Sequence, residues 1–152
     1  MKTEIIAGVL GALGTGAAIG IQSTLSSRTG SLIGDVNTGF LTNIIGGIAA
    51  GILLLLVTVR KGSGMPEVPG QAIPMLIAAG LLGILIITGI SFSLKRAGVA
   101  AGLATVILGQ MAISAIVDTV GAGGVDPIPL SLQRMIGLAL MAASVYFLVP
   151  KS

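Results

Sequence analysis

Cysteine and histidine are both absent from these 152 residues, and only 9% of the chain is charged. Without thiols or imidazoles there is no disulfide, no thiolate or imidazole metal ligand, and no Ser-His or Cys-His nucleophile pair. The carboxylates are Glu4, Asp35, Glu67, Asp118 and Asp126. An enzyme is therefore not expected, and neither is a bound metal or organic cofactor. The net charge of +3 is too small and too scattered to call for a nucleic-acid partner. Soluble domains carry roughly 25% charged residues. A chain that is 54% apolar, with a mean hydropathy of +1.09, cannot cover a water-facing surface. It is expected to be an integral membrane protein, with lipid as its immediate partner.

Lys2 precedes an apolar run, which resembles the start of a signal peptide. That run is about as long as a full span, however, and Glu4 sits in the basic flank, so a cleaved leader is not expected.

A helix needs roughly 20 apolar residues to cross the hydrocarbon core. The five segments 5–24, 37–59, 72–94, 97–120 and 130–149 meet that length. Lipid leaves no backbone group unpaired and no alternating strand pattern is present, so the fold class is an all-α membrane bundle in one domain over 1–152. Polar and glycine-rich stretches, "SSRTGSLIGD", "RKGSGMPEVPGQ", "KRAG" and "GAGGVDPIP", are read as the breaks. The brevity of "KRAG" predicts an antiparallel hairpin of the third and fourth helices.

Glycine is plentiful, with 24 residues, and it is patterned. Gly8, Ala12, Gly16 and Gly20 recur every fourth position in the first span, and Gly47 and Gly51 do so in the second. Small-residue stripes of this kind let membrane helices approach closely, so these positions are expected to pack helices. "GTGAAIG" loosely matches a phosphate-binding loop, but its spacing is wrong and no strand precedes it.

Five spans put the termini on opposite faces. Lys2, Arg60, Lys61 and Arg134 then fall on the N-terminal face, and Arg28, Lys95, Arg96 and Lys151 on the other. If Arg134 lies within the fifth helix the tally is three against four. Either count gives the positive-inside rule almost nothing to act on, which leaves insertion in both orientations open. An antiparallel homodimer, or a pair with a paralogous chain, would supply the inverted repeat that many carriers contain.

Polar side chains inside such spans point to a pathway. Gln110, Ser114 and Asp118 share one broad helix face at spacings of four. Gln110 lies about 20 Å along its helix, deep in the hydrocarbon, where an amide must find protein or water. Gln22, Asn43 and Ser91 are further pathway-lining candidates. Glu4 and Asp118 are the carboxylates nearest the spans and the candidates for proton or cation coupling. In an antiparallel dimer Gln22 of one chain comes level with Asp118 of the other.

The stretch "AAGLLGILIITGISFSLKRAGVAAGLATVILGQMAISAIVD" resembles the YdcZ-type family of small bacterial inner-membrane proteins, within the drug/metabolite transporter superfamily. Gly80, Gly83, Gly98, Gly109, Gln110, Ser114 and Asp118 carry the likeness, and "GIQSTLSSRTG" adds Gln22 at the end of the first helix. The chain departs from the family pattern at Ser26, where an Asn is usual, and at Thr42-Asn43, where a Ser-Phe pair is common. The resemblance implies residence in the inner membrane and a half-size transporter that pairs into a ten-helix unit. A small secondary-active carrier that moves a small polar metabolite or cation by alternating access is the expected function. The rival is an accessory or scaffold subunit that docks a larger partner. A self-contained dimer favours the first, and obligate copurification with another protein favours the second.

Overall fold

The computed structural model describes residues 2–62, 64–122 and 126–150, with side chains from Ile5 onward. Among these residues there are five helices and no strand: α1 (Lys2–Ile33), α2 (Asp35–Lys61), α3 (Ala72–Ala97), α4 (Val99–Val120) and α5 (Leu132–Leu148). The first four are long and apolar enough to cross a bilayer. α5 is apolar but shorter, at 17 residues. That gives it a rise of about 25 Å, against a hydrocarbon thickness of roughly 30 Å. The chain divides into two compact units, one formed by Met1–Gly20 with Ser93–Ser152 and the other by Ile21–Phe92.

The expected break at "SSRTGSLIGD" is not a loop. α1 continues through it to Ile33, and Arg28 is a helical residue. The reason is local. Thr29 Oγ1 donates to Leu25 O at 2.9 Å and Ser31 Oγ to Ser27 O at 3.2 Å, so these hydroxyls are satisfied along the helix itself. Ser26, which opens the stretch, is buried.

The chain breaks at single glycines instead. Gly34, with φ 88° and ψ 153°, separates α1 from α2, and Gly98, with φ 80° and ψ 163°, separates α3 from α4. That corner of backbone space is essentially closed to residues with a Cβ. On either side the helical ladder persists: Gly34 N–H donates to Gly30 O and Gly34 O accepts from Thr38 N–H, both at 3.0 Å, while Gly98 N–H donates to Leu94 O at 3.0 Å and Gly98 O accepts from Gly102 N–H at 2.9 Å. The "KRAG" turn thus contracts to one residue.

Within Ile21–Phe92 the core is built from Ser23 and Ser26 of α1, Thr38 of α2, and Ile87, Ile90 and Ser91 of α3. Close approach is made at Gly30, Gly39 and Gly83. A methyl group at Gly39 would strike Thr88 Oγ1 and come within 2.8 Å of Ile84 O. Within the other unit Gly102 of α4 lies against Leu94, whose Cα is 3.2 Å from where its Cβ would be, and α4 packs against α5. The glycines expected to pack helices, Gly8, Gly16, Gly20, Gly47 and Gly51, have nothing within 4 Å of a Cβ position. A repeat of four identifies a face. Within each compact unit the close approaches are made at Gly30, Gly39, Gly83 and Gly102.

Candidate functional site

Two short structures fix the ends of α4 and α5. Gly121, at φ 67°, turns the chain out of α4. The Asp118 carbonyl there accepts from Gly121 N–H at 3.3 Å and from Ile128 N–H at 2.9 Å. Ser131 caps α5, its Oγ accepting from the Arg134 N–H at 3.3 Å. The result is that Asp118 Oδ2 stands 3.1 Å from Arg134 Nη1, with each side chain 35% exposed. The pair sits on the wall of a cleft of about 330 Å³ between α4 and α5. Ser114 shares that wall, and the remainder is Met111, Ala115, Gly137, Leu138 and Met141.

The electrostatics of this pair are unusual for a structural ion pair. Asp118 lies in the last turn of α4, where the helix dipole disfavours an anion, and Arg134 is the third residue of α5, where it disfavours a cation. Each misplacement costs roughly 0.3–1 kcal/mol. A partly exposed ion pair returns about 0–1 kcal/mol. Helix stability therefore does not explain why these charges stand here, and each is compensated chiefly by the other.

The second cleft lies in Ile21–Phe92 and measures about 590 Å³. Gln22, Thr42 and Asn43 give it polar groups, and Gly46, Gly47 and Gly83 keep it open. Asn43 Nδ2 donates to Gly39 O at 2.8 Å, which turns Oδ1 toward Gly83. Gln22 is exposed.

Of the residues read as lining a single pathway, the structure sets Gln22 and Asn43 on one cleft and Ser114 and Asp118 on another. Gln110 belongs to the α4 row but not to the wall beside Asp118. Positions i and i+8 diverge by about 80° around a helix, enough to carry the exposed Gln110 amide off that face. Ser91 is a correction. It is wholly buried, its Oγ 2.6 Å from Asp35 Oδ1 and 3.1 Å from Ser26 O, so it ties α1, α2 and α3 together and lines neither cleft. Asp35, which the apolar runs leave outside the spans, is the first residue of α2 and half-buried. The Glu4 side chain lies outside the described residues. Arg134, a flanking charge in the sequence, is a wall residue of the cleft. Its signal was the shared membrane face with Asp118.

The family model described as "Putative inner membrane exporter, YdcZ" matches residues 7–147. The chain belongs to this family. The match reaches into all five helices of the YdcZ chain, and with four helices able to span a bilayer it is a multi-pass inner-membrane protein. No curated protein and no solved structure matches it.

Proposed function

We propose that this YdcZ protein is a secondary-active carrier rather than an enzyme, moving a small polar metabolite or cation by alternating access. The observation that carries the reading is the Asp118–Arg134 pair on an open cleft in a chain built for lipid. Ionised groups within a membrane protein are costly and mark pathways more often than they mark scaffolding. Membership of an exporter family supports the same direction.

The working unit in this proposal is a dimer, antiparallel or with a paralogous chain, giving ten helices. Two features favour it. The Gln110 amide, midway along α4, is exposed and finds no hydrogen-bond partner among the described residues. Gly8, Gly16 and Gly20 leave the first half of α1 able to accept another helix closely.

Proteoliposomes loaded with labelled amino acids, organic cations or sugars test the carrier reading. One solute class should show saturable flux that is stimulated by the same solute on the far side, and Asp118→Asn should abolish it. Flux that is never stimulated from the far side, or flux that Asp118→Asn leaves unchanged, would overturn it.

A further inference from the structure

The cleft between α4 and α5 contains more chemistry than a gate requires, and we infer that it is a binding site for an amphipathic zwitterion, a molecule with an ammonium, a carboxylate and an apolar side group. This rests on the carrier reading above and names the class of solute. The contact between Asp118 and Arg134 is an ion pair of Oδ2 with Nη1 at 3.1 Å, and Nη1 makes no hydrogen bond. A guanidinium has five N–H donors and a carboxylate has two oxygens. Neither side chain makes a side-chain hydrogen bond among the described residues. Asp118 Oδ1 and the remaining Arg134 donors are thus uncommitted, at one end of a space of about 330 Å³. That is within the roughly 300–1,000 Å³ of ordinary small-molecule sites.

Net charge selects among ligands. A simple cation drawn to Asp118 would meet Arg134 beside it, and a simple anion drawn to Arg134 would meet Asp118. A zwitterion presents its carboxylate to the guanidinium and its ammonium to the carboxylate, so neither like-charge contact forms. Arginine's planar fork suits a carboxylate in particular. The rest of the wall sets the third requirement. Met111, Leu138 and Met141 offer an apolar, polarizable surface to a side group, and Ser114 adds one hydroxyl. The misplacement of both charges against their helix dipoles fits the same use, because a bound zwitterion adds a countercharge to each.

Leucine is a suitable probe, with its methyl ester as the cationic analogue and N-acetyl-leucine as the anionic one. Equilibrium binding of radiolabelled leucine to the full chain in nanodiscs should be displaced by both analogues at least about tenfold more weakly than by leucine itself, because each leaves one of the two charges without its countercharge. Glycine, which lacks the side group, should also compete weakly. Asp118→Asn and Arg134→Gln, each confirmed as monodisperse, should lose leucine binding.

Equal displacement by the ester or by the N-acetyl compound would show that only one charge is read and would overturn the zwitterion site. So would an absence of leucine binding at millimolar concentration, or retention of binding in either variant. The carrier reading fails separately. Leucine that binds but does not cross in counterflow would uphold the site and remove the carrier, whereas counterflow of the ester without leucine binding would do the reverse.

Discussion

At the scale of single residues, polarity inside a span has two meanings that burial separates. Ser91 and Ser114 look alike in the sequence, each a serine in an apolar helix, yet one is enclosed and the other borders a cleft. Ser91→Ala should therefore destabilise the chain, because Asp35 Oδ1 and Ser26 O lose the hydroxyl between them. Hydrogen bonds of this kind contribute about 0.5–3 kcal/mol, the larger values where the acceptor is charged. Denaturation of the purified protein would read it, with Ser114→Ala as a near-neutral control. Asp118 and Arg134 should behave as a unit. Asp118→Asn and Arg134→Gln should each lower stability, and the double variant should cost less than their sum. A coupling of roughly 0.5–1.5 kcal/mol is expected for contacting residues, and strict additivity would mean that the pair is not formed in the membrane.

At the scale of elements, the apolar runs located α2 to α5 within a few residues because hydrocarbon thickness dictates their length. What the runs could not show was the end of α1. Ser, Thr and Arg in "SSRTG" read as a loop, whereas the hydroxyls bond back along the helix and the chain breaks only at Gly34. The ion pair was hidden for a related reason. Asp118 and Arg134 meet through the Gly121 turn and the Ser131 cap, and periodicity within one helix carries no information about that meeting. Helix packing makes a sharp comparison. Gly39→Ala would drive a methyl onto Thr88 and to within 2.8 Å of the Ile84 carbonyl, so helix α2 or α3 must shift. Overpacking of this kind costs typically 1–3 kcal/mol, an approximate range. Gly46→Ala enters open space and should be tolerated. Thermal denaturation of the two variants in one detergent would compare them, and equal stability would contradict the close approach of α2 and α3.

At the scale of the whole molecule, a chain with few buried residues and long exposed apolar helices is suited to lipid and to partners within it. The clefts are what set it apart from inert membrane mass. They matter only if water reaches them, and a nitroxide can report that, since the absence of native cysteine lets a single one be introduced cleanly. Attached at Ser114→Cys in liposomes, the label should be relaxed strongly by a water-soluble nickel chelate and weakly by oxygen. At Ile113→Cys, on the exposed apolar side of α4, the order should reverse. A Ser114 label that oxygen relaxes as it does the Ile113 label would place the cleft against acyl chains and contradict a solvated pathway.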